Sequence, residues 1–265
     1  MFTLIIALAV AAIVGGLSSI EWENSSWTII NTAATFAVCW IGIGLFVRSR
    51  INKVNATIQN KMEEAQKKIN RKLQVFQNRP GSNVKSVQRT LEKDQNEAIV
   101  DALKTTQQID RYFKWNFLLK KQITTMRMMF YYQMRDFKKV DELLPGCMFF
   151  DPRATAFKIA RMYKRKNDGI DKIFAKKSKR LKGDNGALLY GLYSWILVKN
   201  GEPEKALELL TIARKKINHP TIIDNREKLA NGKVKQFSNS GLGELWYSLH
   251  LEEPKVKQKK MRRNF

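Results

Sequence analysis

The 265-residue chain carries 48 Lys and Arg against 24 Asp and Glu, a formal net charge of +24, with two Cys and two His. That length allows one or two domains with a real core, and two cysteines exclude the disulfide framework of a small secreted domain. No Lys or Arg precedes Arg48, so the part from Arg48 onward holds a surplus of +26 (48 basic against 22 acidic residues).

Residues 1–47, whose only charged side chains are Glu21 and Glu23, read as a membrane anchor. Met1 to Ile20 and Trp27 to Val47 contain no charged side chain, and about 20 apolar residues cross a bilayer core as a helix. The short polar Glu21-Trp22-Glu23-Asn24-Ser25-Ser26 link makes the two spans an antiparallel hairpin, with Trp22 and Trp27 at the interface. Arg48, Arg50 and Lys53 follow the second span directly. The positive-inside rule then puts both termini in the cytoplasm and the link outside. A cleaved signal peptide followed by one anchor is the rival, opposed by an n-region without Lys or Arg. Ala11 and Gly15, Ala12 and Gly16, and Ala33 and Ala37 are small pairs four apart that let helices approach closely. No charge lies mid-span, which argues against a transporter, channel or proton relay.

Residues 48–117 form a helical stalk. Ile51, Val54, Ile58, Met62, Ala65, Ile69, Leu73 and Phe76 step by three and four in an eleven-residue pattern close to the pitch of a straight helix. Pro80-Gly81-Ser82-Asn83 breaks it. A second helix follows, with Val84, Val87, Leu91, Ala98, Ala102 and Ile109 on its apolar side. An antiparallel pair is expected, with a self-associating coiled coil as the alternative. Arg111-Tyr112-Phe113-Lys114-Trp115 interleaves aromatic and basic residues; its aromatics are expected in the core of the first repeat helices.

Residues 118–232 contain an internal repeat. Turn-then-helix segments begin at Arg135-Asp136-Phe137, Asn167-Asp168-Gly169 and Asn200-Gly201-Glu202-Pro203, with Val140, Ile173 and Ala206 in register at intervals of 33. A helix-length segment precedes each turn, and a period in this range is a solenoid signature. In the last unit Ala187 to Val198 is the first helix and Glu204 to Ile217 the second, with Ala206, Leu210 and Ala213 at small, large and small positions. On these residues the stretch 121–220 resembles the tetratricopeptide repeat family. The unit from Ala154 departs from the pattern, with Lys177 and Arg180 where apolar residues belong. Pro220 is expected to terminate the last unit, Thr221 to cap a closing helix, and Gly232 to end it. The resemblance implies partner binding along a concave face lined by first helices. That face would comprise Lys158, Met162, Arg165 and Lys166, then Leu188, Gly191, Trp195 and Lys199, and its basic character points to an acidic peptide or terminal carboxylate.

In the tail, residues 233–265, Leu242, Leu245, Trp246 and Leu249 share one helical face, followed by a basic run to Arg263. That face docks back on the array or stalk, or else lies on the inner leaflet beside anionic lipid. His219, His250, Cys39 and Cys147 form no zinc spacing, and no phosphate loop or nucleophile motif is present. The chain is therefore expected to be all-α, without cofactor and not an enzyme: a membrane-bound scaffold or adaptor for protein partners. Lys164-Arg165-Lys166, Lys176-Lys177-Ser178-Lys179-Arg180 and the basic tail also suit the anionic inner leaflet or, less well, RNA such as a docked ribosome.

Overall fold

The computed structural model describes residues 2–21, 25–77, 84–179, 181 and 184–254. The Glu23 link, the Pro80 break, Arg180 and the basic tail beyond Pro254 lie outside the described residues. Every regular element among the described residues is helical. The chain divides into two compact units, Met1–Met148 and Phe149–Phe265. The division falls inside the stretch 118–232 expected to be one array.

The first unit opens with α1 (Phe2–Glu21) and α2 (Ser25–Gln77), which pack together. Ala7, Ala11 and Gly15 recur at the i, i+4 spacing that keeps residues on one helix face. Ala7 and Ala11 are buried, and a Cβ on Gly15 would stand 2.7 Å from Thr32 Oγ1. Of the expected small pairs, Ala11 with Gly15 therefore makes the close approach. Ala12, Gly16, Ala33 and Ala37 are exposed and stand off this seam. Large apolar side chains such as Leu8, Ile13, Leu17, Ile29, Val38 and Leu45 face outward.

No proline interrupts residues 27–77, so the expected second span and the stalk are one 53-residue helix, about 80 Å long at 1.5 Å per residue. Val47, Ile58 and Ile69 are its buried positions at eleven-residue intervals, with Ile51 beside them. Helix α3 (Val84–Thr106) packs on this stripe and runs antiparallel to it. Lys61 meets Asp101 at 2.8 Å, and further along Lys72 meets Asp94. The α3 stripe is wider than Ala98 and Ala102 alone, because Ile99 and Leu103 are buried too.

A 3₁₀ turn (Gln107–Tyr112) carries the chain back to α2. Ile109 joins Val47, Ile51, Leu119 and Ile123 in one apolar cluster, with Tyr112, Phe113 and Trp115 packed against it. This corrects the expectation that those aromatics form the core of the first repeat helices. They seal the junction between α2 and the start of α4 (Phe117–Gln133) instead. The start of α1 reaches the same junction: the Phe2 amide donates to the Lys114 carbonyl at 3.0 Å, and the Phe2 ring meets Trp115 edge-on at 6.0 Å. Arg127 of α4 ties the junction to α3, donating to Thr106 Oγ1 at 2.8 Å and to Asp110 at 2.7 Å. Asp136 then caps α5 (Phe137–Leu143) through the Lys139 amide, where the turn was expected.

The second unit is a set of helix pairs. Helix α6 (Pro152–Lys164) begins on an Asp151 cap, and α7 (Ile170–Ser178) follows a turn whose Gly169 has φ +89°. Helix α8 (Asp184–Lys199) and α9 (Pro203–Arg214) flank a turn with Gly201 at φ +80°. Both glycines stand in the left-handed region at the expected turns, where a Cβ would add strain. Ala206, Leu210 and Ala213 are fully buried in α9. Lys177, at an expected apolar position, donates its ammonium to the Phe149 carbonyl. Pro220 does not terminate a unit: it opens α10 (Pro220–Ala230) at the first helical position, where its missing N–H is harmless. His219 Nδ1, not Thr221, caps this helix by accepting from the Thr221 amide at 3.2 Å. Thr221 is buried in the first turn.

Candidate partner-binding face

Helix α8 is buried almost all round from Ala187 to Leu197. It is covered by α6, α9 and α10 and by the segment after α10. The sequence pattern of that segment suggests one helix over 240–250, but Gly243, at φ +60° and ψ −135°, splits it. A 3₁₀ turn (Ser240–Leu242) and one helical turn, α11 (Glu244–Tyr247), result. Leu242, Trp246 and Leu249 are buried, whereas Leu245 remains 37% exposed. Of the two readings of this apolar face, the structure has it docked on the helices.

The docking is specific in chemistry. Gly191 has no side chain, so Asn239 Nδ2 approaches its carbonyl and donates at 2.7 Å. Asn239 Oδ1 in turn accepts from Asn225 Nδ2 at 3.0 Å, a polar network buried with its partners satisfied. Trp195 packs edge-on between Tyr163 of α6 at 5.3 Å and Trp246 at 5.6 Å. Both indole N–H groups donate to one carboxylate, Trp195 to Glu252 Oε1 at 2.8 Å and Trp246 to Oε2 at 2.9 Å. The Lys199 ammonium stands 5.4 Å over the Trp195 ring, a cation–π distance.

The expected face is thus divided. Gly191 and Trp195 lie beneath the chain's own C-terminal segment, and Leu188 is buried. Lys199 remains exposed at its margin. On α6, Lys158 and Met162 are half-buried, and the Lys158 ammonium sits 4.6 Å over the Phe149 ring. Arg165 and Lys166 are exposed just past α6, with Lys166 in the left-handed region at φ +53°. Lys166 lines a cavity of about 610 Å³ with Tyr163, Asn167, Asp168, Ile196 and Asn200.

On the other side of α8, Tyr193 stacks on Phe174 at 4.3 Å and donates its hydroxyl to Asp171 Oδ1 at 2.8 Å. Burial first, and the Asp171 carboxylate second, push the Tyr193 phenol well above its ordinary range. Among the described residues no group of His, Cys, Asp and Glu is placed to hold a metal ion. The residues that sequence reasoning missed are Tyr163, Asn239 and Glu252. Trp246 and Glu252 are visible as a conspicuous aromatic and an acid near the tail, yet nothing in their spacing pairs them with Trp195.

The chain matches no protein-family model, no curated protein and no solved structure.

Proposed function

We propose that this chain is a membrane-anchored adaptor. A two-span hairpin holds a tetratricopeptide-like helical array on the cytoplasmic side, and the array's basic face captures an acidic segment of a protein partner. The observation that carries the reading is α2. It starts as an apolar helix with its large side chains facing outward and continues without a break into the stalk that packs on α3. Both α1 and α2 contain a stretch long and apolar enough to cross a bilayer. A soluble core helix would bury such residues, and a bilayer is the solvent in which outward Leu, Ile and Val belong. Arg48, Arg50 and Lys53 at the end of the apolar stretch favour a cytoplasmic stalk.

The array reading draws on the helix pairs α6–α7 and α8–α9, on their glycine turns, and on buried Ala206 and Ala213 at the close crossing. The acidic-partner reading draws on Glu252, an acid of the chain's own tail that accepts from Trp195, over whose ring Lys199 stands. An acidic group is what this aromatic and basic corner accepts.

The test uses the full chain in its native membrane. Alkaline carbonate should leave it embedded, and a cysteine introduced near Lys53 should be labelled only from the cytoplasmic side. Crosslinking followed by identification should recover a protein with an acidic segment. Arg165→Glu with Lys199→Glu should abolish that capture without releasing the chain from the membrane. Unchanged capture would sink the acidic-partner reading. Co-sedimentation with ribosomes or RNA, lost steeply with salt, would replace it by an RNA tether.

A further inference from the structure

The junction between the apolar and basic parts of α2 holds a cavity of about 710 Å³, walled by α2, the start of α1 and the start of α4. One part of its wall is apolar: Leu4, Trp40, Gly44, Trp115 and Leu118. Leu4, Trp40 and Leu118 are each at least 40% exposed. The other part is polar, with Arg48, Asn52, Asn55, Asn116 and Gln122. Among the described residues no acidic side chain lines it, and the full charge on its wall is the Arg48 guanidinium. Asn55 Oδ1 is buried with no hydrogen-bond partner among the described residues. Such an atom is satisfied by a polar group entering from outside. From Gly44 to Asn55 the helix rises about 16 Å, so the cavity straddles the point where apolar sequence gives way to Arg48.

From this we infer that the cavity is a binding site for one anionic phospholipid of the inner leaflet. Its phosphate lies at Arg48 and the neighbouring amides, and the upper part of its acyl chains lies along Gly44, Trp40 and Leu118. The inference rests on the membrane reading above. It goes beyond a general attraction of basic protein for anionic lipid, because it assigns one guanidinium and one groove. An amphiphile matches a wall that is apolar on one side and cationic on the other, and indoles such as Trp40 and Trp115 favour the headgroup level. Gly44 lines the groove, and a Cβ there would meet nothing within 4 Å, so a larger side chain has room to enter it.

The test is native mass spectrometry of the full chain, released from micelles doped with phosphatidylglycerol or phosphatidylcholine. One phosphatidylglycerol should be retained in preference to phosphatidylcholine. Arg48→Gln should weaken that retention about fivefold, the effect of one basic residue at a lipid surface. Gly44→Leu should abolish it by filling the groove. Arg50→Gln is the control: its guanidinium lies 5.2 Å over the Phe46 ring and does not line the cavity, so retention should hold. Equal loss in Arg50→Gln, or full retention in Gly44→Leu, overturns the site while leaving the anchor standing. A chain that alkaline carbonate strips from its membrane sinks the anchor and the site together.

Discussion

Trp195 reaches 57 positions along the chain to donate its indole N–H to Glu252 at 2.8 Å. The second oxygen of the same carboxylate holds Trp246 at 2.9 Å, so one acid fastens the C-terminal segment to α8. The part of the expected partner face at Gly191 and Trp195 is in this way already occupied by a stretch of its own chain. Glu252→Gln leaves an amide N–H₂ facing one indole N–H, donor against donor. We expect a loss of about 1–3 kcal/mol, read as a lower denaturant midpoint at unchanged slope, with a red shift of tryptophan emission.

Gly191 tests the docking from the other side. A Cβ there would lie 2.8 Å from Leu242 Cδ1 and 3.3 Å from Asn239 Oδ1. Gly191→Val should therefore lift residues 237–252 off α8 while α8 and α9 stay folded. Limited proteolysis should then cut after Asn231 at a markedly higher rate. If the adaptor reading holds, capture of an acidic partner should rise in the same variant.

Leu210 and Ile212 give a matched pair on α9. Leu210 is fully buried between two buried alanines, and Ile212 is 45% exposed. Leu210→Ala should destabilise the second unit by about 2–5 kcal/mol through lost contacts and a residual cavity. Ile212→Ala should change it by under about 0.5 kcal/mol. Chemical denaturation of the two variants side by side checks the contrast.

The stalk separates packing from charge. Ile58 is 4% exposed in the α2–α3 seam, so Ile58→Asp buries an unpaired carboxylate there. Amide exchange across α3 should then lose its protection. Lys61 and Asp101 are 41% and 56% exposed, and such a pair contributes under about 1 kcal/mol. High salt should accordingly leave α3 protected.

Alkaline pH should weaken the second unit through Tyr193. Its phenol is raised above the ordinary value of 10.0 by burial and by Asp171, so the folded state holds its proton longer than the unfolded chain does. The stabilisation is complete below pH 10, where both states are protonated. It declines as pH rises past 10 toward the folded value, because the unfolded chain ionises first. Tyr193→Phe should flatten this part of the alkaline decline. Asp171→Asn should reduce it too, and unfolding midpoints between pH 8 and 11 measure both.

By itself the sequence determined the longer local patterns, but not the split at Gly243 or the His219 cap of α10. The first 47 residues, free of Lys and Arg, mark the apolar helices, since such a run needs no tertiary context to be recognised. The stepped pattern from Ile51 through Ile58 to Ile69 marked the side of α2 that is buried, because an eleven-residue interval returns to nearly the same azimuth of a straight helix, although Leu73 of the same pattern is 36% exposed. Gly169 and Gly201 marked the turns, and the small, large, small order of Ala206, Leu210 and Ala213 marked the inner side of α9.

What only the tertiary structure decided are the long-range pairings. Tyr112, Phe113 and Trp115 could serve any apolar surface, and the one they meet is α2 and Phe2. Gly191 and Trp195 have the composition of a binding groove, but Asn239 and Glu252 meet them first. Burial and hydrogen bonding reward whichever complementary surface arrives, and nothing in local spacing says which segment that will be. The cavity beside Arg48 has the same origin: its walls come from three helices.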